Sequence, residues 1–254
     1  MTATPASEAS ADPRTVAGVD GCRAGWLVVT HGIASPASAA AFLCPTFAEV
    51  LHRTRCARVV AIDMPIGLPE RASIGGRAAD AAARANLGDR RSAVFSVPAR
   101  AAVMEHDYAR ACAVALTASD PPRKISKQIF NLFPRIREVD GVMTPDLQSR
   151  VVECHPEVAF WLMNGEIPLS LPKKVKSRPF EPGLALRRAL LVAAGYPTAR
   201  LGDGHWRAAD AGPDDLLDAA ACAWTAARIA TGHGCRFPSE PPRDGKGLRM
   251  EIWG

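Results

Sequence analysis

Val16-Ala-Gly-Val-Asp-Gly-Cys-Arg-Ala-Gly-Trp-Leu-Val-Val29 holds two short apolar runs around a glycine-rich turn. Val16 to Val19 has the β-branched, apolar character of a buried strand, and Trp26 to Thr30 reads as its partner. Gly21 and Gly25 allow the backbone a tight connection. One carboxylate, Asp20, ends the first run. Two readings of it stand side by side. Asp-Gly is a common hairpin turn, but a carboxylate at the end of a buried strand is costly unless it is paired or binds a cation.

Arg58-Val-Val-Ala-Ile-Asp-Met-Pro-Ile-Gly-Leu-Pro69 repeats the design: an apolar run, a lone acid at Asp63, then Pro and Gly. Two buried strands that each end in one Asp predict two carboxylates at one edge of a sheet, where α/β sheets place their ligands. Strands are expected at about 15–20, 25–31, 38–44, 58–63 and 149–154. Phe47, Val50 and Leu51 fall at helical spacing behind Thr46 as N-cap. Gly75 to Arg91 is Ala-rich and reads as a helix or an arm around the site. Glu105 to Leu116 reads as a helix, Ser126 to Arg137 as a helix that Pro134 kinks or turns, and Leu184 to Gly195 as a helix stopped by glycine. Pro213 to Gly232 is the clearest helix, with Pro at its start, Gly at its stop and an Ala-rich face for close packing on a sheet. Leu248 to Trp253 reads as a short last strand.

The bounds on this reading are broad. The chain has 254 residues, 48% of them hydrophobic, enough for one large domain with an insertion. Its net charge of +5 is compatible with a polyanionic or phosphate ligand. Seven scattered cysteines with no CxxC or Cys/His spacing argue against structural zinc and fit reduced thiols in the cytoplasm. Residues 1–14 lack an apolar stretch and read as a disordered tail. No apolar run is long enough for a membrane span, and no internal repeat occurs. One domain is expected over 15–254, with a helical and basic insertion at about 70–148.

Asp20, Asp63, Glu153 and Asp218 share one feature: each acid lies within, or at the edge of, an apolar element. Brought together they repel and cannot all stay ionised in a dry site. A divalent cation removes the conflict, and hard oxygen ligands favour Mg²⁺ or Mn²⁺. Such ions activate water at a phosphodiester. Asp214 and Asp215 have a structural role as first-turn complements of the helix dipole, and Asp218 lies beyond that turn. His155 reads either as a hydrogen-bonded structural residue or as a ligand. Arg90, Arg91, Lys127, Lys173 and Lys174 are expected to line the approach for a polyanion, or else to be solvated. No Gly-x-Ser-x-Gly elbow, Walker A or Gly-x-Gly-x-x-Gly loop occurs.

Five motifs in order resemble the domain-of-unknown-function family 429, predicted nucleases with an RNase H-like fold. They are Gly18-Val-Asp-Gly-Cys-Arg-Ala-Gly-Trp26, Ile62-Asp-Met-Pro-Ile-Gly-Leu-Pro69, Arg90-Arg-Ser-Ala-Val-Phe95, Glu153-Cys-His-Pro-Glu157 and Asp214-Asp-Leu-Leu-Asp-Ala219. The resemblance implies a mixed five-stranded sheet flanked by helices and a metal-dependent nuclease. Asp20, Asp63 and Asp218 match the acids that its first strand, fourth strand and final helix bring together; with Glu153 they are the expected catalytic residues, and Asp20, Asp63, Asp215 and Asp218 are the expected metal ligands. Arg23, Arg90, Arg91, Lys127, His155 and Lys173 are expected to meet a nucleic acid or nucleotide. Two rival readings are an ATP- or phosphate-binding protein of the sugar-kinase-like branch of that fold, and a non-catalytic nucleic-acid-binding protein.

Overall fold

The computed structural model describes residues 14–176, 178–202 and 206–254. The expected tail therefore lies outside the described residues, except Arg14. The Arg14 carbonyl accepts a hydrogen bond from Ile33 N at 2.6 Å.

The chain opens with β1 (Thr15–Cys22), β2 (Gly25–Gly32), β3 (Ser35–Cys44), α1 (Phe47–Arg53) and β4 (Val59–Ile62). A largely helical stretch follows: β5 (Ala72–Ser73), α2 (Ala78–Ala85), α3 (Arg100–Val103), α4 (Tyr108–Thr117), β6 (Ser119–Asp120), α5 (Lys127–Phe130) and α6 (Phe133–Val142). Then come β7 (Val151–Glu153), α7 (Pro156–Met163), β8 (Lys174–Val175), β9 (Arg178–Pro179), α8 (Glu181–Ala193), α9 (Pro213–Ala230), β10 (Arg236–Phe237) and β11 (Ile252–Trp253).

All five expected main strands form, in one sheet of order β3-β2-β1-β4-β7. β1 pairs antiparallel with β2 and parallel with β4, and β4 pairs parallel with β7. Polarity thus changes at β1. Parallel pairing needs a long crossover, which β2, β3 and α1 supply between β1 and β4. The stretch from β5 to α6 supplies it between β4 and β7.

The sheet buries both faces, as an α/β layer architecture requires. Ala17, Val19, Val28, Val60 and Ile62 face one core, which holds Phe47 of α1 and Phe133, Ile136 and Val139 of α6. The opposite face belongs largely to α9. Alternation along β1 puts Val16, Gly18 and Asp20 on that side. The small side chains of α9 then let it lie almost on the strand. A Cβ placed on Gly18 would come within 2.0 Å of Ala223 N and 2.1 Å of Ala219 O.

Some local expectations are corrected. Pro134 sits in the first turn of α6, where its missing N–H costs nothing, so no continuous helix runs through 126–137. Gly75–Arg91 splits into α2 and a 3-10 turn at Gly88–Ala93. The predicted strand at 248–253 shrinks to β11, which pairs with β10.

Candidate active site

The parallel register pairs Val16 with Val59 and Val19 with Ile62. One step further places Asp20 beside Asp63, and the Asp63 amide continues the ladder by donating to Val19 O at 2.9 Å. Both acids therefore stand at the same end of adjacent central strands. α9 crosses this end with Asp218 one residue before its contact with Gly18. Asp20, Asp63 and Asp218 are thus brought together by sheet register and by the closeness of one helix.

The electrostatics reflect that crowding. Burial pushes the Asp20 carboxyl well above its ordinary range, and Asp218, Asp63 and Asp215 push it further, while Lys173 opposes them. Burial likewise raises Asp218 to about 7 against the pull of Lys173. One oxygen of Asp218 pairs with the Lys173 ammonium, and the other, Oδ1, is buried without a hydrogen-bond partner. Asp214, also buried, pairs with Lys174 at 2.6 Å. Asp215 turns back on its own helix start, where Oδ2 accepts from Gly212 N at 2.8 Å. Burial raises its carboxyl too.

Asp20, Asp63, Asp214 and Asp215 floor a cleft of about 440 Å³, and the Asp218–Lys173 pair lies behind them. Its rim carries Arg23, Arg135 and Lys174, with Asn131 and the Phe95 ring in the facing wall. Arg23 donates to Ala208 O at 2.9 Å. Arg135 lies over the Trp26 ring and donates to Cys22 O at 2.8 Å, which ties α6 to the end of β1. Cys22 also reaches the cleft, but burial pushes its thiol up to about 11, so it offers no thiolate nucleophile.

Glu153 belongs to a different cluster. It ends β7, yet its oxygens accept from the Arg77 guanidinium at 2.5 and 2.8 Å and from Ile66 N at 2.7 Å. Arg77 binds Asp80 as well, and donates to Ile66 O and Gly67 O. Burial raises the Glu153 carboxyl to about 7, against the pull of Arg77. A carboxylate so fully bonded braces the loop that follows Asp63 and does not join the acid floor. The sequence left Glu153 without a structural reason because Arg77 lies 76 residues away.

The other expected contacts divide. Arg23 and Lys173 are at the site. His155 caps α7, accepting from Glu157 N at 3.2 Å, and lines a small recess beside Asp63. Arg90 and Arg91 lie in the 3-10 turn and Lys127 stands over the Tyr108 ring at 5.7 Å, so none of the three lines the cleft. Arg135, Asn131 and Phe95 were not singled out from sequence. Only their common position around the cleft marks them.

Asp20, Asp63, Asp214 and Asp218 are side chains of the kind that could hold a hard divalent cation. Asp20 is buried among three other carboxylates with Lys173 as the opposing charge, and Asp218 Oδ1 has no hydrogen-bond partner. Among the described residues, though, no three His, Cys, Asp or Glu side chains stand as a ready-made coordinating group. The two lysines hold Asp218 and Asp214 instead. No described helix is long and apolar enough to cross a membrane.

A family described as Protein of unknown function (DUF429) matches residues 18–243, a span that contains the whole acid floor and its rim. No curated protein and no solved structure matches the chain.

Proposed function

We infer that this chain, which belongs to the DUF429 family, is a phosphodiester hydrolase of RNase H-like architecture that uses Mg²⁺ or Mn²⁺ on a nucleic acid or nucleotide. The observation that carries the reading is the convergence of Asp20, Asp63 and Asp218 on one sheet edge, two of them buried, with Asp218 Oδ1 unpartnered. Excess buried negative charge of this kind is what a hard cation neutralises.

Asp20, Asp63 and Asp218 would hold the ion. When bound, it supplies the charge that activates water and stabilises the developing phosphate oxyanion. The chain's own groups do the rest. Arg23 and Lys174 on the rim attract and orient phosphate, as basic side chains do along a polyanion's path. Phe95 offers an apolar face against the cleft. Arg77 fixes Ile66 and Gly67, which keeps the Asp63 loop in place. The seven free cysteines suit a reducing compartment, so we place the enzyme in the cytoplasm.

A panel of single- and double-stranded DNA and RNA with Mg²⁺, Mn²⁺ or EDTA, run beside Asp20→Asn, tests this. Metal-dependent cleavage that Asp20→Asn abolishes is the expected result. No cleavage of any substrate, or cleavage that persists in EDTA, overturns it.

A further inference from the structure

Residues 169–176 form a strap that brings Lys173 to Asp218 and Lys174 to Asp214 at the cleft, and hydrogen bonds fix its backbone. Lys173 O accepts from Phe180 N at 2.9 Å, and Leu171 O accepts from Arg187 Nη1 at 3.0 Å. Arg187 is itself wholly buried and held by Glu157 at 2.6 and 2.7 Å. α8 also packs hard on the strap: a Cβ on Gly183 would meet Pro172 O at 1.8 Å. The backbone is therefore held, and only the long side chains of Lys173 and Lys174 extend over the acids.

Those side chains are the more exposed half of each pair. Lys173 is 27% exposed against 3% for Asp218, and Lys174 is 45% exposed against 6% for Asp214. A lysine that reaches water recovers its hydration when it leaves, so such a pair is cheap to open. The aspartates cannot leave, because α9 is packed on β1. Asp214 and Asp218 are four residues apart and share one face of the helix. Asp218 Oδ1 waits beside them, buried and unpartnered.

We propose that Lys173 and Lys174 are tethered counter-cations of the Asp214/Asp218 pair, displaced when a divalent cation enters, and that Asp214 is thereby a ligand of the ion. The proposal rests on the metal-site reading above. The protein keeps its acids neutralised by its own ammonium groups, and the price of loading is the loss of two flexible ion pairs. Once displaced, both ammoniums stay on the anchored strap at the cleft mouth, where substrate phosphate arrives. Asp215, engaged with Gly212 N, keeps its role at the helix start.

Titration calorimetry of the full chain with Mn²⁺ alone reads the exchange. Lys173→Met removes a competitor, so it should bind Mn²⁺ up to about fivefold more tightly than wild type, the scale of one opened ion pair. Asp214→Asn should bind more weakly. Lys173→Gln gives a second variant should the Met protein fail to fold. Amine acylation followed by mass spectrometry gives a readout independent of affinity: labelling of Lys173 and Lys174 should rise on adding Mn²⁺. Equal or weaker binding by both Lys173 variants, or labelling that does not change, overturns the exchange while leaving the metal site standing. No Mn²⁺ binding by wild type or by either variant overturns both.

Discussion

Gly18→Ala tests how the acid floor is assembled. The added methyl would lie 2.0 Å from Ala223 N, 2.1 Å from Ala219 O and 2.7 Å from Ala223 Cα. All three are backbone atoms of a buried helix, so no rotamer change relieves the clash. Ordinary contact begins near 3.4 Å, so α9 has to retreat by about 1.4 Å along much of its contact with the sheet. Overpacking usually costs about 1–3 kcal/mol, and a backbone clash belongs at the upper end, about 3 kcal/mol. For a domain of this size that is roughly 6–12 °C in Tm. The same retreat carries Asp218 away from Asp20, so Mn²⁺ binding should weaken more than the stability loss alone explains. Urea unfolding and calorimetry on the folded fraction measure the two effects. Gly141→Ala is the control: it lies in α6 with no atom within 4 Å of the new Cβ, and it should stabilise by up to about 1 kcal/mol. A Gly18→Ala loss below about 1 kcal/mol would show that the helix does not rest on this strand as described.

Three further outcomes are expected. Arg77→Met leaves Glu153 and Asp80 buried without their cation, and urea denaturation should show a loss of about 3–5 kcal/mol; a loss under 1 kcal/mol would mean the cluster is not a brace. In EDTA, metal-free protein should lose stability as pH rises from about 4 to 7. Asp20 and Asp218 have raised carboxyl pKa values in the fold, the latter about 7, so the folded state holds protons that the unfolded chain has released. With Asp63, Asp215 and Lys173 still facing the site, Asp20→Asn should flatten that decline in thermal melts at pH 5 and pH 8, and an unchanged slope refutes a raised Asp20 carboxyl in the fold. If the substrate is a nucleic acid, Arg23→Ala should lower the slope of log affinity against log salt by about 0.7–0.9, and a fluorescence-anisotropy titration with an unchanged slope removes Arg23 from the phosphate path.

The main sheet was legible because its strands are short β-branched runs, and because Asp20 and Asp63 each end such a run. One parallel register then makes them neighbours. The helix that carries Asp218 was legible from Pro213, Gly232 and its alanines. What the sequence could not show is which charges meet. Glu153 looked like a site acid because its cation, Arg77, lies in an unremarkable Ala-rich segment. Asp214 and Asp215 share the same first turn, and only the folded helix start shows that Asp215 bonds Gly212 N while Asp214 faces Lys174. Lys173 and Lys174 read as a basic loop that either lines the approach or is solvated, and nothing local reveals that Gly183 and Arg187 hold this segment so that both lysines pair with the acids. Arg90, Arg91 and Lys127 were judged by charge alone, and charge does not report direction.

The change of strand polarity at β1 also sets when these acids meet during folding. The hairpin of β1 and β2 closes over two residues, Arg23 and Ala24, and is a local contact. Pairing of β1 with β4 must first close a loop through β3 and α1, and docking of α9 joins residues about 200 apart in sequence. Loop-closure entropy puts such contacts late. Asp20 therefore reaches its final strand before Asp218 arrives, and the repulsion between them falls on the last stage of assembly. It acts as a force that opens the native state, with little bearing on how fast the hairpin forms. Relieving it with Asp20→Asn, which leaves the Lys173–Asp218 pair in place, should appear in the unfolding limb of a chevron plot and leave the folding limb in place.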